Sequence, residues 1–246
     1  MQYFLETVDT IEAGHGFAHY SPLHLIWLLL ALLTFIFVTK AYKAKDEQTR
    51  TKWRKIVALL IVGDEIWKMV WLAVGGNYTF DYLPLHLCSI NIILIALHAW
   101  KPSKLLDNFL YLVCIPGAMS ALLFPSWASL PLMNFMHLHS FTVHTLLALY
   151  PIMLTAAGDI KPQIKMFPKC LAFLLAMAIP IYIFNMIFDT NFMFLMYVEE
   201  GNPLLMFEQM WGNHLLGYPV ILVAVTAVMS IPVLLINKKD KKTVSQ

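Results

Sequence analysis

The chain has 246 residues, of which 59% are hydrophobic and 13% are charged, and its mean hydropathy is +0.68. Soluble globular domains contain about 45–50% apolar residues, so this composition excludes an ordinary soluble domain and indicates an all-α integral membrane protein. The formal net charge of +2 gives no reason to expect a nucleic-acid partner.

Seven segments are long and apolar enough, or nearly so, to cross a bilayer, which takes roughly 20 helical residues. They lie at about 22–41, 53–74, 84–100, 105–124, 138–157, 168–188 and 214–236. Pro84 is expected to begin the third span and Pro116 to kink the fourth. Short connections leave no room for a second domain, so residues 1–246 are predicted to form a single polytopic domain of seven transmembrane helices.

The Lys and Arg residues predict the orientation of these spans. Seven lie at positions 40–55, two between the third and fourth spans, three between the fifth and sixth, and four after the seventh. These 16 residues fall on one side of the predicted membrane, so the positive-inside rule places the C-terminus in the cytoplasm and the N-terminus outside. We expect a multi-pass plasma-membrane protein in contact with membrane lipids, and no soluble protein partner.

The second span contains three charged residues, Asp64, Glu65 and Lys68, inside an apolar run. An unpaired charge at that depth costs about 2.5–3.5 kcal/mol. Asp64 and Lys68 are four residues apart on one helix face, so we expect them to neutralise each other. Glu65 lies about 100° round the helix and needs another partner. These side chains either pair for purely structural reasons or line a polar cavity.

The first turns of the third span hold a second polar group, His86, Cys88, Ser89 and Asn91. Polar groups inside a membrane must be satisfied by a neighbouring helix or a water-filled cavity, so they are candidates for function. A free cysteine is also one of the most commonly buried residue types and is usually inert. Residue type alone therefore leaves both a catalytic and a structural interpretation open.

The fifth span offers a possible base for this thiol. His137 and His144 are seven residues apart and nearly eclipsed, with Ser140 between them, while His139 points elsewhere. At a rise of about 1.5 Å per residue, His144 reaches a depth similar to that of Cys88. A thiol and an imidazole are the two groups that acyl transfer through a thioester requires. We therefore predict Cys88 as nucleophile and His144 as base, in an outward-facing polar cavity.

A larger set of polar residues is predicted to support this pair or to line the cavity. It consists of His86, Asn91, Asp64, Glu65, Lys68, His137, Ser140, Asn185, Asp189 and Asn191. The same atoms could instead bind a solute in a small transporter or receptor, because kinked helices and buried charges fit that class as well.

The histidine and cysteine spacing does not favour a metal site. In a helix, the i, i+2 pairs His86/Cys88 and His137/His139 point about 200° apart, so neither pair can hold one ion. His137 and His144 are separated by about 10 Å of helical rise, which is too far for one zinc ion. We predict no metal and no cofactor.

Two elements of the sequence carry a resemblance to a known family. The stretch Leu-Pro-Leu-His-Leu-Cys at 83–88, with Asn91 after it, and Asn-Phe-Met at 191–193 resemble the YwaF-type family of bacterial seven-helix membrane proteins. More distantly, the chain is similar to a vertebrate transmembrane acyltransferase that acts on ether lysophospholipids. The resemblance covers most of the chain. It implies that Cys88 is the nucleophile and His144 the catalytic histidine, in acyl transfer or acyl hydrolysis on a membrane lipid.

Overall fold

The computed structural model describes residues 3–198 and 201–244, with side chains in the last helix described up to residue 235. The described residues are helical, without strands. The helices are α1 (Pro22–Lys43), α2 (Glu47–Val74), α3 (Leu87–Trp100), α4 (Lys104–Leu123), α5 (Phe135–Ala157), α6 (Phe167–Phe188), the short α7 (Leu205–Trp211) and α8 (Gly217–Val244). The four tail lysines that contribute to the orientation prediction lie beyond the described side chains.

Five of these helices, α1, α4, α5, α6 and α8, are long and apolar enough to cross a membrane. This confirms a helical membrane protein. Helix α2 has 28 residues but carries charged side chains along much of its length. Helix α3 has 14 residues, or roughly 21 Å, whereas the hydrocarbon core of a bilayer is about 30 Å thick. Two of the seven predicted spans therefore fall short in length or composition.

Helix α5 is the centre of the bundle and packs against α1, α2, α3 and α4. Its side chains and those of α4 supply much of the hydrophobic core, including the fully buried Tyr150, Phe109 and Leu147. Helices α1, α6 and α8 expose large apolar side chains on their outer faces, for example Leu29, Ile183 and Leu234. Such surfaces suit contact with lipid.

Two helices begin at residues other than those predicted. Helix α2 begins at Glu47 rather than near 53, because the Asp46 carboxylate accepts a hydrogen bond of 2.9 Å from the Thr49 N–H and caps the first turn. Helix α3 begins at Leu87, so the prediction that Pro84 begins it was wrong. His86, the residue before α3, has an extended backbone with ψ 151°. This extended approach places His86 outside the helix and Cys88 in its first turn.

The proline in α4 changes the helix in the turn before it. Residues Leu110–Cys114 form a π-helical turn, which directly precedes the α-helix that contains Pro116. Proline lacks an N–H and its ring clashes with the carbonyl four residues earlier, so a wider turn accommodates it. The predicted irregularity is therefore a π-turn, and it ends at the buried Cys114.

The segment before α1 lies across one end of the bundle. The Asn134 side-chain amide donates to the carbonyl oxygens of Tyr3 (2.8 Å) and Glu6 (2.7 Å). Phe17 N–H donates to the Ala128 carbonyl oxygen at 2.8 Å. Because Asn134 directly precedes α5, these bonds hold the segment over the same end of α5 that carries the predicted site.

Candidate active site

The charged residues of α2 form a network with α5. The Lys68 ammonium donates to Glu65 Oε1 at 2.6 Å, and Glu65 Oε2 lies 3.6 Å from His139 Nε2. Asp64 Oδ2 lies 2.8 Å from His139 Nδ1, without the alignment that a hydrogen bond requires. Glu65, Lys68 and His139 are all buried. The expected pairing of Asp64 with Lys68 was therefore wrong, since Lys68 pairs with Glu65.

Helical geometry explains this difference. Residues three and four apart both lie on one face of a helix, so Lys68 could reach either carboxylate, and the position of α5 selects Glu65. His139 is the residue that the site prediction omitted. A signal for it was present, because two carboxylates and one ammonium leave an excess negative charge that a donor from another helix can offset.

The side chain of His144 is buried and held from two sides. Its Nδ1 donates to the Ser140 carbonyl oxygen at 2.7 Å, since a carbonyl oxygen can only accept. Its ring is stacked on that of Trp127, with centroids 5.1 Å apart and an interplanar angle of 11°. The neutral ring therefore carries its proton on Nδ1, which leaves Nε2 with a lone pair, as a general base requires.

Cys88 lies in the first turn of α3 and is half-buried, whereas Cys114 and Cys170 are buried. Helix α2, which carries the buried Glu65 and Lys68, packs against both α3 and α5. The polar side chains of these three helices and of the residue before α3 are named here the polar cluster: Asp64, Glu65, Lys68, His86, Cys88, His139 and His144. Among the described residues, no hydrogen bond joins Cys88 to His144.

Two further residues of the third-span motif flank the thiol. His86 Nδ1 accepts a hydrogen bond of 3.2 Å from the Met193 N–H, and its ring meets Phe192 edge-on at 5.1 Å. Asn91 is 2% exposed, and its side-chain oxygen is buried without a hydrogen-bond partner among the described residues. Asn91 lies three residues after Cys88, and therefore on the same side of α3.

His137 and Ser140 have structural contacts. His137 Nδ1 donates to the Leu130 carbonyl oxygen at 3.0 Å, and His137 Nε2 accepts from the Trp27 indole N–H at 3.0 Å. Both nitrogens are thus occupied in a ring that is fully buried. Ser140 is buried and acts through its backbone carbonyl, which orients His144.

The three polar residues at the end of α6 organise the loop that follows it. Asn185 Oδ1 accepts from the Thr190 hydroxyl (2.9 Å) and the Phe192 N–H (3.0 Å), and Asn185 Nδ2 donates to the Phe192 carbonyl oxygen (3.0 Å). Asp189 is exposed and ends α6 in the left-handed region, with φ 54°. Asn191 Oδ1 accepts from the backbone N–H of residues 196 and 197. These contacts shape the loop that supplies the N–H donor to His86.

A shallow apolar cavity of about 440 Å³, widely open to the surroundings, lies between the beginning of α3 and the middle of α6. Leu85 and Ile90 line it from the side of α3, and Met177, Pro180 and Phe184 line it from α6. Leu85 and Ile90 flank Cys88 in the sequence. A lining of this kind suits a hydrocarbon chain.

Comparisons with known proteins identify a family over most of the chain. Residues 16–230 match the family model described as the TMEM164 family. No curated protein and no solved structure matches the chain.

Proposed function

Because this chain belongs to the TMEM164 family, a family of transmembrane proteins, we propose that it is a membrane enzyme that transfers or hydrolyses acyl groups through Cys88. The observation that carries the proposal is the polar cluster. The half-buried Cys88 thiol, the His144 imidazole with its unprotonated Nε2 and the buried Lys68 ammonium lie on three helices that pack against one another. The resemblance to YwaF-type membrane proteins and to a lipid acyltransferase supports the same assignment.

The topology that we propose has seven spans, with α2 and α3 added to the five helices that meet the length and composition criteria. Helix α2 is long enough, since 28 residues extend roughly 42 Å. Within the bundle, the Glu65 carboxylate pairs with the Lys68 ammonium and also lies beside His139 of α5. These contacts offset the charges inside the helix. We propose that the N-terminus is outside and the C-terminus in the cytoplasm of a plasma-membrane protein, and the positions of the basic loops support this orientation.

The proposed reaction begins with an ester of a membrane phospholipid. Cys88 Sγ attacks the ester carbonyl carbon while His144 Nε2 takes the thiol proton. A carbon–sulfur bond forms, the ester carbon–oxygen bond breaks, and the departing alkoxide of the lysophospholipid receives the proton from His144. The product of this half-reaction is an acyl-cysteine.

The second half-reaction uses the same groups in reverse. His144 Nε2 takes a proton from the hydroxyl of an acceptor lysophospholipid, or from water, as its oxygen attacks the thioester carbon. The carbon–sulfur bond breaks, the ester or acid forms, and the thiol recovers its proton from His144. A lipid acceptor gives an acyltransferase, and water gives a hydrolase. The apolar cavity between α3 and α6 provides room for the acyl chain.

Detection of the acyl-enzyme tests this proposal. The purified protein is placed in vesicles of a phosphatidylcholine with an alkyne-tagged acyl chain, and hydroxylamine-sensitive label is located by peptide mass spectrometry. We expect label on Cys88, its loss in Cys88→Ser and a strong reduction in His144→Ala. The matched controls are Cys114→Ser and Cys170→Ser, which should retain the label.

Absence of label on wild-type Cys88, or equal label on Cys114 and Cys170, would contradict the enzyme assignment.

The alternative function, a solute transporter or receptor, would use the buried charges of α2 to bind the solute. It requires that Cys88→Ala keep full function, whereas the enzyme proposal requires complete loss in a correctly folded variant.

A further inference from the structure

Two histidines of the polar cluster, His86 and His144, carry their protons on opposite nitrogens. His144 Nδ1 donates to the Ser140 carbonyl oxygen, so its Nε2 is unprotonated. His86 Nδ1 accepts the Met193 N–H at 3.2 Å. A nitrogen that accepts cannot also carry a proton in that direction, so neutral His86 carries its proton on Nε2. At Nε2, His144 can therefore act as a base, whereas His86 can donate a hydrogen bond.

From this arrangement we propose that His86 is a catalytic residue, whose Nε2–H donates a hydrogen bond to the acyl carbonyl oxygen while Cys88 attacks the carbonyl carbon. The inference rests on the proposed function and adds a residue to it. As the carbon–sulfur bond forms, the carbonyl electron pair moves onto oxygen, and the Nε2–H stabilises that negative charge. The proton remains on His86 throughout, and the oxyanion collapses to the acyl-cysteine when the lysophospholipid leaves.

The position of His86 suits this role. It precedes α3 directly, two residues before Cys88. A donor of this kind is useful only if it is fixed before the substrate arrives.

Aromatic contacts fix the His86 ring. Phe192 meets it at 70° with centroids 5.1 Å apart, and Phe194 meets it at 51° and 5.8 Å. Both phenylalanines come from the loop that follows α6. The same loop therefore supplies the N–H that selects the tautomer and the rings that hold the imidazole.

The backbone of this loop is strained at the residue that contacts His86. Met193 and Phe194 have φ values of 59° and 53°, in the left-handed region that residues with a Cβ rarely occupy. Strain of this kind persists only where the surroundings fix it, and it is concentrated at functional sites. Here it turns the Met193 N–H towards His86.

Helix α8 and the turn before it hold the strained residues. The Tyr218 hydroxyl donates to the Met193 carbonyl oxygen at 2.6 Å and lies 3.2 Å from the Phe194 carbonyl oxygen. His214 Nε2 donates to the Phe194 carbonyl oxygen at 3.1 Å. Tyr218 is therefore a positioning residue for His86, and it acts from the opposite side of the loop.

The test compares an oxygen ester with its thionoester, in which sulfur replaces the carbonyl oxygen and accepts hydrogen bonds poorly. Wild type should acylate Cys88 faster with the oxygen ester by about 10²–10³-fold, the usual loss on removal of one oxyanion donor. His86→Leu should lower the rate with the oxygen ester by a similar factor and lose the preference for oxygen. His86→Gln, which keeps an N–H donor, should recover part of both.

A second variant keeps the proposal testable if His86→Leu does not fold. Tyr218→Phe leaves His86 in place and releases the loop, so it should show a smaller loss of rate together with a weaker preference for oxygen. Equal oxygen preference in wild type and in both variants would overturn the role of His86. If wild-type Cys88 is not acylated by either ester, the proposed function itself fails, and the two failures are thus distinguishable.

Discussion

The Trp127 ring lies parallel to the His144 ring, with centroids 5.1 Å apart and an interplanar angle of 11°. Trp127 comes from the connection between α4 and α5 and is 5% exposed. Its indole nitrogen is buried without a hydrogen-bond partner among the described residues. The contact of this indole with the histidine is therefore made through the ring faces, and it limits the rotation of the imidazole.

This stack predicts different outcomes for two substitutions of Trp127. Trp127→Phe keeps an aromatic face and removes an unpaired buried N–H, so the free energy of unfolding should change little. Trp127→Ala opens a cavity and should cost about 3–5 kcal/mol. Denaturant unfolding of the detergent-solubilised protein measures both. A loss for Trp127→Phe as large as that for Trp127→Ala would contradict the assignment of the aromatic stack as the stabilising contact.

The network between α2 and α5 predicts that the cost of removing Glu65 depends on whether Lys68 is still present. Glu65→Leu leaves the buried Lys68 ammonium without the carboxylate at 2.6 Å, and removal of one partner of a buried pair costs about 3–5 kcal/mol. The double variant Glu65→Leu/Lys68→Met removes both charges and should recover most of that loss. Lys52→Gln, on an exposed position of the same helix, is the matched control and should lie within about 0.5 kcal/mol of wild type.

Wild type, Glu65→Leu, Lys68→Met and the double variant form a double-mutant cycle, and the unfolding free energy of each is measured. A coupling energy near zero between positions 65 and 68 would contradict the assigned ion pair. The analogous cycle between positions 64 and 68 should show the weaker coupling, since Asp64 contacts His139 rather than Lys68.

The sequence predicts the helices better than it predicts their contacts. Apolar runs locate α1, α5 and α6 to within a few residues, because a membrane helix is defined by local composition. The partner of Lys68 could not be predicted, because i+3 and i+4 carboxylates share a face and the choice depends on where α5 places His139. The hydrogen-bond partner of the His86 side chain likewise comes from a loop more than 100 residues away in the chain.

The same limit applies to the histidines of the site. Sequence spacing places His137 and His144 on one face of α5, and of these two only His144 keeps a nitrogen without a hydrogen bond to the described residues. His137 is occupied at both nitrogens by Leu130 and Trp27. These partners come from other segments, so tertiary structure determines which imidazole can act as a base.

The buried contact between His98 and Tyr150 predicts that Tyr150→Phe lowers stability, independently of the proposed reaction. His98 Nδ1 and the Tyr150 hydroxyl are 2.9 Å apart, and His98 Nε2 lies 2.7 Å from Asp107 Oδ1. His98 and Tyr150 are both buried. Tyr150→Phe leaves His98 Nδ1 without its partner and should cost about 1–3 kcal/mol. Tyr182→Phe, at an exposed position on α6, should have no effect on unfolding, and equal effects of the two variants would exclude a role for the hydrogen bond.

Asn91 and Asn108 are equally buried, at 2% exposed, but they differ in their hydrogen bonds. Asn108 Nδ2 donates to the Lys104 carbonyl oxygen at 2.7 Å, and its Oδ1 accepts from the Gln163 N–H at 2.6 Å. The Asn91 oxygen has no such partner among the described residues. Asn108→Leu should therefore destabilise the protein by about 1–3 kcal/mol, whereas Asn91→Leu should leave its stability unchanged or raise it.

For the rate of Cys88 acylation, we expect the reverse: Asn91→Leu has the larger effect and Asn108→Leu has none. Asn91 lies one turn after Cys88, and its buried side-chain oxygen, without a partner among the described residues, is available to accept a hydrogen bond from a substrate. Asn91→Leu should lower the rate of Cys88 acylation while Asn108→Leu, at equal folded protein, leaves it unchanged. The unfolding free energy and the acylation rate, both measured on the same preparations of the two variants, distinguish a packing role of Asn91 from a role towards the substrate. If Asn91→Leu is as destabilising as Asn108→Leu, or acylates Cys88 at the wild-type rate, Asn91 has a packing role and no role towards the substrate.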